Sequence, residues 1–205
     1  MPLLNDPDVR ARARQEIAKD RIERHSFSAR TSKEILLSSS VSFSEARPFD
    51  MFLSHTIYDA EIILGVKATL EDLGYFTYVD WINDPKLDRS RVTPGTADIL
   101  RQRMINSRSL LYIATANTDN SRWMPWECGY FDGLRSKVAV LPVVATSSDS
   151  FNGLEFLGLY PYCTKTRSYS GKELLYIHPN VYQCTTFDTW WKTRDSDIKW
   201  FDMRG

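Results

Sequence analysis

Cysteine is scarce in this sequence, and its placement excludes two classes of protein. Cys128, Cys163 and Cys184 are the 3 cysteines among 205 residues. They form no CxxC pair and, being odd in number, cannot all pair with one another. A zinc ribbon and a secreted disulfide scaffold are therefore set aside, and a reducing compartment is favoured. His25, His55 and His178 lie far apart and show no metal-ligand spacing. Charge of one sign is also missing: 26 basic residues cancel 26 acidic ones, so no global positive field gathers nucleic acid or an anionic membrane. The longest apolar stretch outside helical patterns, Val138 to Val144, falls far short of the ~20 residues a membrane span needs. Asp6, Asp8 and Arg10 occupy the place of a signal peptide's apolar run, so a cytoplasmic protein is expected. No GxGxxG opens a helix, no GxxxxGK[ST] is present, and no GxSxG elbow occurs. These absences argue against dinucleotide oxidoreductases, P-loop nucleotidases and α/β-hydrolases.

What remains is a globular composition, 42% hydrophobic and 25% charged, rich in aromatics. The length suits one domain with an extension, or one large domain. Residues 1–47 read as a helical extension and linker, and 48–205 as the domain. Asp6-Pro7-Asp8 is a good helix start, with Asp6 as the expected cap. The apolar stripe that follows, Val9, Ala13, Ile17 and Ile22, is thin, so this helix must dock on the domain or on a partner. Nine basic residues against seven acidic ones in this stretch make a solvated helix face rather than a nucleic-acid arm. Ser38 to Ser44 reads as a linker.

From Pro48 onward, strand and helix patterns alternate. Phe49 to Ser54, Tyr75 to Trp81, Ser109 to Thr115, Lys137 to Val144 and Leu174 to His178 read as strands. Ala60 to Leu73 (ending at Gly74), Thr96 to Ser107, Trp126 to Leu134 and Thr186 to Lys192 read as helices, and Asn83 to Gly95 as a polar loop. This alternation predicts an α/β fold: a flavodoxin-like three-layer sandwich around a five-stranded parallel sheet. With strand order 2-1-3-4-5, ligands bind beyond the carboxyl ends of strands one and three, where the order reverses. That brings Ser54-His55 to the segment from Thr115 to Glu127. The crevice then offers hydroxyl and amide groups (Ser54, Thr115, Asn117, Ser121), indole faces (Trp81, Trp123, Trp126) and one carboxylate, Glu127. Flat aromatics and short polar groups suit a nucleotide.

Residues 49–144 resemble a Toll/interleukin-1 receptor (TIR) domain of the bacterial enzymatic type. Asp50-Met51-Phe52-Leu53-Ser54-His55, with Asp59 following, is similar to the family's first motif, and Asp88 to Gly95 to its second. In Ser121 to Tyr130, Trp123 and Glu127 match the Trp-x-x-x-Glu spacing of NAD-cleaving members. Residues 1–47 carry no part of the likeness, and the last third shares only the order of strands and helices. His55 departs from animal relatives, which often carry tyrosine there.

The resemblance implies cleavage of NAD⁺ at the nicotinamide–ribose bond, giving ADP-ribose or a cyclic or conjugated ADP-ribose signal in antiphage defence of the Thoeris kind. NAD⁺ is then substrate, with no cofactor and no metal. Glu127 is the catalytic candidate, because one carboxylate can steady the oxocarbenium-like ribose. Ser54, His55, Asp80, Trp81 and Trp123 are the substrate-binding candidates. The likeness also implies self-association through TIR–TIR contacts and a separate effector that senses the nucleotide. Each residue has a plainer reading. Glu127 suits a helix N-terminus by charge alone, Ser54 could cap the helix that starts near Thr56, and Cys128 is a small buried residue rather than a nucleophile. The alternative function is a non-catalytic scaffold that recruits partners through the 83–95 loop. A nucleoside deoxyribosyltransferase-like enzyme is a third reading, separated by its free-nucleoside substrate.

Overall fold

The structure is a computed structural model that describes residues 3–25, 28–38, 47–79, 93–146, 155–168 and 170–204. Its strands are β1 (Leu4–Asn5), β2 (Phe49–Ser54), β3 (Thr77–Val79), β4 (Ser107–Ala114), β5 (Val138–Val144), β6 (Tyr162–Arg167), β7 (Glu173–Asn180), β8 (Gln183–Thr186) and β9 (Phe201–Asp202). The helices are α1 (Asp6–Glu23), α2 (Ser32–Ser38), α3 (Ala60–Asp72), α4 (Pro94–Ile105), α5 (Trp123–Arg135) and α6 (Phe187–Lys192).

The sheet runs β3-β2-β4-β5-β6-β7-β8-β9. Its first five members are parallel, with Leu53 opposite both Val79 and Leu111, Tyr112 opposite Val140, and Val140 opposite Tyr162. Counted from β2, this is the expected order 2-1-3-4-5, and the order reverses between β2 and β4. One detail differs. The fifth parallel strand is Tyr162–Arg167, whereas the stretch expected in that place, Leu174 to His178, lies in β7 and pairs antiparallel to β6. The reason is a hairpin: Gly171 adopts φ +80 between β6 and β7, a conformation that glycine takes without steric cost.

Burial explains the layers. β2, β4 and β5 are covered on both faces, as the apolar runs Met51–Leu53, Leu110–Ala114 and Val138–Val144 within them require. On one face α3 presents Ile62, Ile63, Val66 and Leu70 to Met51, Leu53, Leu111 and Leu141. On the other, Leu100 and Met104 of α4 with Met124, Cys128 and Phe131 of α5 pack against Phe52, Leu110 and Val140. Helix α3 ends where the left-handed Gly74 (φ +92) lets Tyr75 N–H reach back to the Leu70 carbonyl.

Helix α1 docks on α3, and Val9 and Ala13 join the core formed by α3 and the sheet. β1, which the sequence reading did not contain, adds Leu4 beside Val143 and Asn5 beside Val144 of β5. Asn5 rather than Asp6 caps α1, its side chain accepting from Asp8 N–H at 2.9 Å. Ile22, expected on the buried stripe, is 75% exposed, so the buried stripe of α1 is confined to its first turns, at Val9 and Ala13. Among the described residues, no helix is long and apolar enough to cross a membrane.

Candidate active site

The carboxyl ends of β2 and β4 meet as the switch-point geometry requires. β2 ends at Ser54, and the chain turns through His55 and Thr56 into a single helical turn, Ile57–Asp59, before α3. Thr56, not Ser54, caps this turn by accepting from Tyr58 N–H. Ser54 is thereby left to point across the crevice. Its hydroxyl donates to Glu127 Oε2 at 2.6 Å, and both residues are fully buried.

Glu127 reaches that place because α5 starts at Trp123, earlier than the expected Trp126. Ser121 Oγ accepts from Met124 N–H at 3.2 Å and so stands in for an N-cap. The earlier start puts Trp123 and Glu127 one turn apart on the same inward face. With the helix starting at Trp123, Glu127 lies beyond the first turn, where the dipole's effect fades, so helix charge alone does not account for a buried carboxylate there.

His55 is buried, with ring Nδ1 2.8 Å from the Leu53 carbonyl, which fixes its plane. Trp123 lies 5.4 Å from Trp126, edge to face; Trp126 stacks on Tyr130 at 5.7 Å, and Arg101 of α4 lies over Trp126. The structure thus brings Ser54, His55, Trp123 and Glu127 to one end of the sheet. Asp80 and Trp81 lie outside the described residues, as does most of the 83–95 loop. Its last residues, Pro94 and Gly95, form the first turn of α4 behind the cap Thr93.

Two polar groups expected to face the crevice are committed elsewhere. Thr115 Oγ1 donates to Asp59 Oδ2 at 2.6 Å, and Asn117 Nδ2 donates to Asp59 Oδ1 at 2.7 Å. Asp50, at the other end of β2, holds Phe76 N–H (2.9 Å) and Arg108 (2.7 Å), which ties β3 and β4 to β2 away from Glu127. Cys128 is buried, and burial pushes its thiol up to about 11, so it is no nucleophile. The sequence reading missed Tyr112, which stands opposite Ser54 in the β2–β4 register. Burial raises its hydroxyl, with the neighbouring Cys128, Asp119 and Glu127 adding to the effect, so it stays a neutral phenol. A lone tyrosine inside the aliphatic run Ser109 to Ala114 was the available signal. Among the described residues, no group of histidine, cysteine or carboxylate side chains could hold a metal ion.

No protein-family model matches the chain. Among curated proteins it is 47% identical over 168 residues to a Bacillus cereus (strain MSX-D12) protein named a probable 3′ cyclic ADP-D-ribose synthase, ThsB′. That match spans 81% of this chain and 87% of the relative. The chain belongs to the TIR family of cyclic ADP-D-ribose synthases. A second relative, from Cytobacillus dafuensis and provisionally named cyclic ADP-D-ribose synthase TIR2, is 26% identical over 109 residues, 53% of this chain and 29% of that protein. The expected sheet order and the crevice between β2 and β4 fit this TIR membership.

Proposed function

We propose that this TIR protein cleaves NAD⁺ at the nicotinamide–ribose bond and closes the ADP-ribose half into a cyclic nucleotide that signals in antiphage defence. The observation that carries the reading is the buried Ser54–Glu127 hydrogen bond at the switch point of the sheet. The relatives' names supply the substrate class.

The chemistry follows from charge. The nicotinamide of NAD⁺ is cationic, so breaking the ribose C1–N bond sends the electron pair to the ring and releases a neutral molecule. No acid is needed, and no group beyond NAD⁺ and protein side chains enters. What needs stabilising is the ribose cation. The Glu127 carboxylate does this at short range in a site closed to water, where a fixed charge acts strongly. Ser54 holds the carboxylate through its hydroxyl. Trp123 and His55 shape the walls beside the ribose and the base, and Asp80 and Trp81 complete the substrate-binding set that the resemblance implies. A hydroxyl or ring nitrogen of the adenosine half then attacks C1 to close the ring. When the attacking group is a hydroxyl, its proton passes to Glu127; water as acceptor gives ADP-ribose.

Three further parts belong to the same reading. A small released nucleotide needs a separate effector to sense it. NAD⁺ and the three free, buried cysteines suit the cytoplasm. Self-association through TIR–TIR contacts completes the active form. The experiment is to incubate the protein with NAD⁺ and follow nicotinamide release and products by mass spectrometry, beside Glu127→Gln. Loss of about 10²–10³-fold in turnover is expected from removing a preorganised charge. Unchanged turnover in the variant removes Glu127 from its role. A wild-type chain that releases no nicotinamide at any protein concentration favours the scaffold alternative.

A further inference from the structure

Asp59 occupies the N-cap position of α3, yet its side chain makes no cap hydrogen bond to its own helix. An aspartate cap stabilises a helix start, so turning away from it gives up stability. Asp59 is 4% exposed, and its carboxylate reaches the segment after β4, where Oδ2 takes the Thr115 hydroxyl and Oδ1 the Asn117 amide. Among the described residues no cation pairs with it. A buried carboxylate held only by neutral donors is costly to keep. Asparagine would be cheaper, but it offers one acceptor oxygen where two donors arrive.

What the two bonds join is informative. On one side, Asp59 belongs to the turn that begins at Thr56, directly after Ser54 and His55, and its N–H bonds to the Thr56 carbonyl. On the other, Thr115 and Asn117 start a relay of bonds. Thr115 N–H donates to Thr118 Oγ1 at 2.7 Å, Ser121 N–H to the Thr118 carbonyl, and Met124 N–H to Ser121 Oγ at the start of the helix that carries Glu127. The clamp therefore couples the segment holding Ser54 to the segment holding Glu127, next to the point where those two side chains meet.

We propose that Asp59 is a positioning residue of this centre: its carboxylate fixes the distance between the Ser54 and Glu127 segments by binding Thr115 and Asn117 together. This rests on the proposed NAD⁺ cleavage. It touches neither substrate nor reacting atoms.

The test is a double-mutant cycle on nicotinamide release with Asp59→Ala and Ser54→Ala. Asp59→Ala in the otherwise native chain is expected to lower kcat on the order of 10²-fold, the scale of a small misplacement of catalytic groups, with KM changed less than about threefold. With Ser54 already removed, the same substitution should cost less than about threefold. A merely structural role would give the same factor in both backgrounds, and that result overturns the proposal. A loss confined to KM, or no loss, does so too. Should Asp59→Ala fail to fold, Thr115→Val removes one donor from the opposite side at nearly constant volume, and the same cycle with Ser54→Ala decides. If the wild-type chain cleaves no NAD⁺, the activity reading fails separately. The clamp is then read by amide hydrogen exchange, where unchanged protection at residues 115–121 in Asp59→Ala refutes it.

Discussion

Gly65 sits in the middle of α3 at the point where α1 crosses it. A Cβ built on Gly65 would lie 2.0 Å from the Val9 carbonyl oxygen, 2.8 Å from its carbon and 2.9 Å from Val9 Cγ1. The obstacle is mainly backbone, so no rotamer change relieves it. The α1 main chain must retreat by on the order of 1 Å before the contact becomes ordinary. Gly65→Ala therefore sets two effects against each other. Alanine favours a helix interior over glycine by about 0.5–1 kcal/mol. Overpacking a filled core costs about 1–3 kcal/mol, and a backbone clash belongs at the upper end.

Overpacking wins, and the net loss of about 2 kcal/mol lowers Tm by ~4–8 °C for a chain of this size. The ion pairs between the two helices, Arg10 and Arg14 with Glu61 and Arg12 with Asp72, do not hold the position against that displacement. Half-exposed pairs of this kind contribute about 0–1 kcal/mol. Gly133→Ala is the internal control. Gly133 lies in α5 with nothing within 4 Å of a built Cβ, so the same chemical change should stabilise there. The assays are thermal unfolding by circular dichroism and amide hydrogen exchange across residues 6–23, where protection should fall in Gly65→Ala alone. Should Gly65→Ala melt at or above the wild-type temperature with protection in α1 intact, the close approach of α1 and α3 would be refuted.

Two other outcomes are expected. His178 is buried against Tyr162 (rings stacked at 4.8 Å) and bonded to Thr164, and burial pushes its imidazole down to about 4 from 6.5. On acidification the unfolded chain takes the proton first, so this histidine leaves stability untouched above pH 6.5, lowers it between 6.5 and 4, and adds no further loss below 4. Urea unfolding across that range should show a difference between wild type and His178→Gln that varies with pH; a flat difference excludes His178 as the source. Specific activity on NAD⁺ should rise with protein concentration if assembly completes the site, as followed beside light scattering; constant specific activity down to dilutions holding only monomer would contradict it.

The parallel half of the fold was legible because its signals are local and redundant. Apolar runs at Met51–Leu53, Leu110–Ala114 and Val138–Val144, separated by periodic helices, leave few topologies besides the doubly wound sheet. The strand that escaped, Tyr162–Arg167, carries Thr164, Lys165, Thr166 and Arg167, a polar string whose place in the sheet is set by pairing with β7 rather than by its own pattern. β1 is two residues long and is held only by its partner β5. Within the site, Ser54 and Glu127 were legible from topology joined to motif spacing. The bonds of Asp59 to Thr115 and Asn117 were not, because the partners are distant in sequence and each of the three is an ordinary turn or cap residue when read alone.

Burial of the Ser54–Glu127 pair bears directly on how the centre operates. With both residues and His55 buried, a ribose reaches the carboxylate only if the side chains that cover it move. Trp123, 8% exposed, is the member of the group nearest the surface. If Asp59 acts as proposed, that movement must leave its bonds to Thr115 and Asn117 intact, since they set where Glu127 stands relative to Ser54. Were assembly to drive that movement, it would gain activity only by its differential affinity for the opened form, and the unassembled chain would carry the full conformational cost. On the proposed reading, a charge already in place and merely covered would let such an enzyme stay silent beside abundant NAD⁺ and turn on without rebuilding its catalytic geometry.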